Sequence, residues 1–87
     1  MDETEKGLFL AECEERLVEI WTEVLNHTTR RADDFLEQGG DSLSAMLCIS
    51  RIRKEFGVDV PLLTFFIEPA TVSSLAVTIH DLLHGHS

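Results

Sequence analysis

Apolar side chains recur at intervals of three and four residues in three separate segments of this chain, and this spacing constrains its fold more than any other feature. In the first segment the apolar positions run from Leu17 to Leu25, with glutamates between them. This spacing puts them on one face of a helix, whereas a strand would need alternation, which the sequence lacks. The sequence therefore predicts an all-α fold: a small four-helix bundle of three main helices and one short helix, with a long first loop.

Capping residues indicate where these helices begin and end. The first helix is expected to start between Thr4 and Phe9 and to end at Asn26. The second is expected to run from Ser42 to Gly57, because glycine suits the left-handed turn that follows many helices.

A short apolar segment, LLTFFI at residues 62–67, precedes the last helix and is long enough for only one or two helical turns. Pro69 is expected to end it, and Thr71 can cap the helix that follows. The buried face of that helix is predicted to consist of Val72, Leu75, Ala76, Ile79, Leu82 and Leu83.

A chain of 87 residues makes one domain. We predict a single domain over residues 1–87, with its core at about residues 8–84, a flexible N-terminal end and a flexible tail from His84 to Ser87. The connection from residue 26 to residue 41 has two large apolar side chains, Phe35 and Leu36, and we expect both to hold this loop against the core.

The net charge of −9 argues against nucleic acid and anionic membrane surfaces as partners. Acidic residues concentrate in the first 25 positions, whereas the end of the second helix is basic. Cys13 and Cys48 offer neither a disulfide framework nor a metal knuckle, so we expect reduced thiols. With no signal-peptide pattern and no apolar run of about 18 residues, the protein is expected to be cytoplasmic. It is also expected to be a monomer.

The stretch EQGGDSLSAM, residues 37–46, runs from a flexible turn directly into a helix. Gly39 and Gly40 permit positive φ and let another molecule approach the main chain closely. If Asp41 caps the helix, Ser42 takes its first position, where free N–H groups and the helix dipole favour an anionic group on the serine oxygen. From these residues alone, Ser42 is a helix-start residue, a nucleophile or an attachment point.

The segments around this stretch resemble the carrier-protein family, in particular the peptidyl carrier (thiolation) domains of nonribosomal peptide synthetases. The family pattern D-x-F-F-x-x-G-G-D/H-S-L reads here DDFLEQGGDSL, residues 33–43. IWTEVLN at residues 20–26 is similar to the end of the family's first helix, and RIRKEFGVDVPL at residues 51–62 to the end of its second helix. These matches occur in the same order as in the family, and the resemblance covers roughly residues 12–83.

The resemblance implies that Ser42 carries a covalent 4′-phosphopantetheine, taken from coenzyme A by a phosphopantetheinyl transferase, with Gly40, Asp41 and Leu43 around the attachment point. It implies a non-catalytic carrier that holds aminoacyl or acyl groups as thioesters on this arm. Such a carrier would deliver them from an adenylation enzyme to condensation, thioesterase or tailoring enzymes.

Partner contacts implied by the resemblance are Leu43, Met46, Leu47 and Phe65. Helical spacing alone places Leu47 in the core, and Phe66 is likewise expected to be a core residue.

Two departures from the family pattern stand out. Pro69 falls one place early, which puts the geometry of the short helix in question. The second helix carries Arg51, Arg53 and Lys54 where fatty-acid carriers are acidic, which favours peptide-synthetase partners because complementary charge selects partners.

Other interpretations compete with a peptidyl carrier. The letters GDSL, with Asp81 and His84, resemble the catalytic block of a hydrolase family, although that family mounts its serine after a strand. His80, His84 and His86 could form a metal site, but histidines near a chain end are more often surface residues, so none is expected. A polyketide-type acyl carrier and a helical interaction module without a prosthetic group are the remaining alternatives.

Overall fold

The computed structural model describes residues 2–26, 28–30, 32–67 and 70–85. Its helices are α1 (Glu3–Leu25), α2 (Ser42–Phe56) and α3 (Val72–Leu83), with a short 3₁₀ helix (Leu62–Phe66) between α2 and α3. Within these ranges the extended pairing is a single antiparallel bridge between Asp34 and Thr71. The predicted all-α fold, with three main helices and one short helix, is confirmed.

Helix α1 begins one residue before the predicted interval. The carboxylate of Asp2 accepts a hydrogen bond of 2.8 Å from the backbone N–H of Glu5, which caps the helix there. Its end at Asn26, in the left-handed conformation with φ of 60°, is where the sequence places it. With 23 residues, α1 should be about 35 Å long, close to the molecule's longest dimension of 36 Å.

Ion pairs show that α1 and α2 run antiparallel. Arg16 of α1 pairs with Glu55 of α2, and Glu23, further along α1, pairs with Arg51, earlier in α2, at 2.8 Å. Ser42 precedes Arg51 by nine residues, about 13 Å of helix. The start of α2 therefore lies beyond the C-terminal end of α1.

Ring contacts show that α3 also runs antiparallel to α1. Near the start of α1, the Phe9 ring lies edge-on against His80 at 5.5 Å and His84 at 6.3 Å, both near the end of α3. Near the end of α1, Trp21 lines a small cavity together with Thr71 and Leu75 at the start of α3. The chain therefore enters α1 and leaves α3 at the same end of the molecule.

Three aromatic rings form the centre of the core. Phe35 lies edge-on between Trp21 and Phe65, with centroid distances of 5.1 and 4.9 Å. The prediction that Phe35 holds the first loop to the core is confirmed, since its side chain is fully buried. The same prediction for Leu36 is wrong, because its side chain is exposed and does not belong to the core.

The buried face of α3 differs from the prediction at its end. Val72, Leu75, Ala76 and Ile79 are buried as expected, whereas Leu82 and Leu83 are exposed. The buried face continues instead through His80, one turn after Ala76, because Phe9 covers His80.

Helix α2 ends at Phe56, and the residue that follows, Gly57, adopts the predicted left-handed conformation with φ of 72°. Pro69, and His86 and Ser87 of the tail, lie outside the described residues, so the expected break and the flexible ends of the domain stay predictions. In the part of the chain that the structure describes, no helix has both the length and the apolar character needed to cross a bilayer.

Candidate functional site

Ser42 is the first residue of α2 and is exposed. Asp41 is the N-cap, as predicted: its Oδ1 atom accepts a hydrogen bond of 2.8 Å from the backbone N–H of Ser44. This bond, more than any other interaction, lowers the pKa of the Asp41 carboxyl below its ordinary value. The serine hydroxyl is thus presented to solvent at the positive end of a well-capped helix.

The two glycines before Asp41 serve different purposes. Gly39 has φ of 88°, a conformation that favours glycine. Gly40 does not have positive φ, contrary to the expectation for both, but a Cβ atom there would lie closer than 3.0 Å to three carbon atoms of the Phe35 ring. Gly40 is therefore needed because the main chain passes directly over Phe35.

Asp34 joins this loop to the segment before α3. Its Oδ1 atom accepts a hydrogen bond of 3.0 Å from the N–H of Ala70, and its Oδ2 atom accepts bonds from the N–H groups of Leu36 and Glu37 at 3.1 and 3.3 Å. The N–H of Phe35 also donates to the carbonyl oxygen of Ala70 at 2.8 Å. The loop that leads to Ser42 is thereby held to a segment that is distant in the sequence.

Gln38 and Thr29 add a second set of bonds inside the loop. The side-chain amide of Gln38 donates to the carbonyl oxygen of Asp34 at 3.2 Å, and the buried Thr29 hydroxyl donates to the Gln38 side-chain oxygen at 3.1 Å. The contacts of Asp34 and Gln38 were not predicted from the sequence. The available signal was the tendency of Asp to accept bonds from N–H groups two and three residues later.

Three apolar side chains lie exposed on α2 after the serine: Leu43 at 66%, Met46 at 53% and Leu47 at 49%. The opposite face of the helix is buried through Ala45, Cys48 and Ile52. The helical spacing had placed Leu47 in the core, which was wrong, because the buried face of α2 consists of Ala45, Cys48 and Ile52. We call Leu43, Met46 and Leu47 the α2 apolar surface.

The short 3₁₀ helix exposes Leu62 and Leu63, which the sequence analysis did not single out. Phe65, expected to contact partners, is instead buried at 1% exposure. The 3₁₀ turn directs its ring against Phe35 and Trp21, so it is not available at the surface. Phe66 packs partly buried against the core, in line with its expected position.

The arrangement of the helices separates Ser42 from the residues that a hydrolase would need. Asp81 and His84 lie at the end of α3, beside Phe9 near the start of α1, whereas Ser42 lies beyond the other end of α1. The rings of His80 and His84 lie against each other at 4.4 Å. Among the described residues, no three potential ligands gather into a metal site; His86 is outside them.

The basic residues of α2 are largely paired within the chain. Arg51 contacts Glu23, and Arg53 contacts Asp59. The positive charge expected to select partners is therefore weaker at the surface than the sequence suggested.

Sequence comparisons match this chain to carriers. Residues 15–79 match the family described as "Phosphopantetheine attachment site". The chain is 46% identical over 67 residues to phosphinothricin tripeptide synthetase PhsC of Streptomyces viridochromogenes, covering 76% of this chain and 6% of that protein. It is 44% identical over 72 residues to gramicidin S synthase 2 of Brevibacillus brevis, covering 82% and 2%. This chain thus spans only a small part of these curated relatives.

Solved structures of carrier proteins are similar to this chain. A solution structure of an active-site mutant peptidyl carrier protein is 32% identical, with a TM-score of 0.77, over 87% of this chain and 84% of that one. A chain from a complex of the phosphopantetheine transferase Sfp with coenzyme A and a peptidyl carrier protein is 33% identical, with a TM-score of 0.73, over 78% of this chain and 88% of its own length. The type-II acyl carrier protein BlmI of Streptomyces verticillus, at 19% identity, covers 94% of this chain and 99% of its own with a TM-score of 0.85, and shares the fold.

The chain belongs to the phosphopantetheine attachment family and, within it, to the peptidyl carrier domains of nonribosomal peptide synthesis. Its cofactor is 4′-phosphopantetheine. The site suits this group, because the first turn of α2 offers an exposed hydroxyl beside backbone N–H groups that favour a phosphodiester.

Proposed function

We propose that Ser42 is the residue that bears phosphopantetheine, and that this chain is a non-catalytic carrier of aminoacyl or related acyl groups. The observation that carries the proposal is the exposed serine at the first position of α2, within the matched region, next to an aspartate that caps the helix. The Ser42 oxygen would form a bond to the phosphorus next to the pantetheine of coenzyme A while the phosphoanhydride bond of coenzyme A breaks. Ser42 would lose its proton, and adenosine 3′,5′-bisphosphate would leave.

The chain's own residues would hold the modified serine in place. Asp41 keeps the first turn of α2 formed, and the dipole of α2 stabilises a negative phosphodiester there by about 0.3–1 kcal/mol. Once attached, the arm supplies a terminal thiol that can hold an acyl group as a thioester. Burial raises the pKa of Cys13 and of Cys48 to about 12 in each case, so neither thiol competes with the arm for this cargo.

The α2 apolar surface is the proposed contact for the transferase, the adenylation enzyme, and condensation, thioesterase or tailoring enzymes. Leu43 follows Ser42 directly, and Met46 lies one helical turn further on, so an enzyme that reaches the serine would meet both. Their exposure supports this role, since a solvent-facing cluster of large apolar side chains commonly marks a binding surface.

The setting of the carrier is also part of the proposal. Coenzyme A as donor and two free thiols suit a reducing cytoplasm, and the net charge of −9 disfavours nucleic acid and anionic membranes as partners. The peptide synthetases among the relatives favour aminoacyl cargo over polyketide cargo. We propose that the domain acts as a monomer.

Intact mass spectrometry tests the proposal most directly. The wild type, Ser42→Ala and Ser50→Ala would each be incubated with coenzyme A and a broad-specificity phosphopantetheinyl transferase. Ser50 is the matched control, an exposed serine on the same helix. We expect one phosphopantetheine on the wild type and on Ser50→Ala, and none on Ser42→Ala.

Two outcomes would contradict this expectation. Modification of Ser42→Ala would move the attachment point to another residue. No modification of the wild type would favour a helical interaction module without a prosthetic group. Circular dichroism of the three proteins would show that a missing modification is not a loss of fold.

A further inference from the structure

We propose that Asp34 is a positioning residue for Ser42: its carboxylate holds the serine loop, residues 34–41, against the segment that leads into α3. The kinetic part of this inference rests on the proposed attachment at Ser42, whereas its structural part does not. Asp34 does not touch the reacting oxygen and would act through the main chain between itself and the serine.

The two oxygens of Asp34 bind different parts of the chain. Oδ2 accepts two N–H bonds from within the loop, at Leu36 and Glu37. Oδ1 accepts the N–H of Ala70, a residue 36 positions away in sequence. One carboxylate therefore both shapes the turn and ties it to the start of α3, where Thr71 pairs with Asp34 in the antiparallel bridge.

A short series of contacts leads from this tie to the serine. Phe35 follows Asp34 and is fully buried between Trp21 and Phe65, so its ring has little freedom to move. The N–H of Gly40 donates to the carbonyl oxygen of Phe35 at 3.1 Å, and the Gly40 main chain lies on the Phe35 ring. Because Gly40 immediately precedes the cap of α2, displacement of residues 34 and 35 would displace the start of that helix.

Asparagine has the same shape as aspartate, but we expect that it cannot form all the hydrogen bonds of Asp34. Each carboxylate oxygen faces an N–H donor, and an amide has only one acceptor oxygen. Asp34→Asn would therefore turn an NH₂ group towards either Ala70 or the loop N–H groups. Asp34→Ser is the complementary variant, since its hydroxyl can still accept a bond from within the turn but is too short to reach Ala70.

Asp33→Asn is the matched control. Asp33 precedes Asp34 in the same loop, and its Oδ2 atom accepts a hydrogen bond of 3.0 Å from the N–H of Arg30. This bond is local and does not reach the segment before α3. The control removes the same charge from the same loop and leaves the tie to Ala70 intact.

The first measurement is the steady-state kinetics of phosphopantetheine transfer to each variant, with coenzyme A and a broad-specificity transferase. For Asp34→Asn we expect KM for the carrier to rise about tenfold with kcat little changed, as for loss of a hydrogen bond to a charged group. The reason is that the transferase would bind only the fraction of molecules with the loop in place. Asp33→Asn should have wild-type values.

The second measurement needs no transferase. Amide chemical shifts and hydrogen exchange of residues 39–42 should change in Asp34→Asn and in Asp34→Ser, with faster exchange at Gly40, and should not change in Asp33→Asn. Since this readout is independent of Ser42 modification, a wild type that is never modified would refute the proposed attachment without refuting the positioning role.

A folded Asp34→Asn with wild-type KM and wild-type amide shifts at residues 39–42 would overturn the inference, as would equal effects in Asp33→Asn. If Asp34→Asn does not fold, Asp34→Ser decides by the same two measurements. If Asp34 contributed only to global stability, Asp34→Asn would have a lower unfolding midpoint and an unchanged KM at temperatures where it is folded. That result would also overturn the inference.

Discussion

At the scale of single residues, the close approach of Gly40 to Phe35 is the contact that most restricts the site. A methyl group on residue 40 would lie closer than 3.0 Å to carbon atoms of the Phe35 ring, which is enclosed by Trp21 and Phe65. The ring cannot move away without disturbing the core, because protein interiors are closely packed. The glycine is thus required by packing rather than by backbone conformation.

We therefore expect Gly40→Ala to lower the free energy of unfolding by about 1–3 kcal/mol, in the range for an overpacked core. Gly7→Ala is the control: Gly7 lies within α1 with open space around it, and alanine there should raise stability by about 0.5–1 kcal/mol. Urea unfolding followed by circular dichroism would measure both. Equal stability of Gly40→Ala and the wild type would show that the ring can give way.

The sequence was most informative about residues with strong local preferences and least informative about which face of an element is buried. Asp41 as a cap and Phe35 as the loop anchor could be predicted, since one follows from capping chemistry and the other from being apolar in a polar loop. The exposure of Leu47 and the burial of Phe65 could not be predicted, because both residues lie in apolar segments whose helical period allows either face to be buried. Their orientation depends on neighbours that only the tertiary structure defines.

At the scale of elements, helix α2 depends on its cap. The Asp41 carboxylate accepts the Ser44 N–H at the positive end of the helix, so the charged form is favoured in the folded state and the pKa is lowered. A lowered pKa in the folded state means that this contribution to stability is present above the ordinary pKa of aspartate. It is lost as the pH falls through the lowered value.

We predict that the difference in unfolding free energy between the wild type and Asp41→Asn is larger at about pH 6 than at about pH 3. Asparagine also caps helices but does not titrate, so the variant reports the cap without its charge. Urea unfolding at the two pH values would measure this difference. An identical difference at both values would mean that the charge of Asp41 contributes nothing to the helix.

Helix ends were the elements that the sequence predicted best. Asn26, Gly57 and Thr71 all lie where the pattern placed them, and Thr71 forms a reciprocal capping box with Ser74. The start of α1 was missed by one residue, because the cap of the helix is Asp2, which lies before the predicted interval. The packing of the first loop against the segment before α3 could not be predicted, since it joins residues that are far apart in sequence.

At the scale of the whole molecule, the two cysteines are enclosed by the bundle. Cys13 lies on the buried face of α1 and Cys48 on that of α2. Burial raises the pKa of each thiol to about 12, the main cause being the loss of hydration of the thiolate. In the folded protein both thiols therefore stay protonated at neutral and mildly alkaline pH and react slowly.

We expect a thiol reagent at about pH 8 to label the folded, unmodified protein slowly and the denatured protein at both cysteines. After phosphopantetheine transfer, the folded protein should gain one fast-reacting thiol, which belongs to the arm. Mass spectrometry of the labelled protein would count these groups. Rapid labelling of folded Cys13→Ser, which retains only Cys48, would show that the bundle opens near Cys48.

The antiparallel arrangement of α1 with its two neighbours places the described chain ends, near Phe9 and His84, at one pole of the molecule, and Ser42 at the other. The longest dimension, 36 Å, runs along α1 between these poles. Joined in series with other polypeptides, such a domain would be tethered at the pole opposite Ser42. Rotation about the tether would then move Ser42 through a wide arc, and a fusion tag at either end would stand clear of this serine.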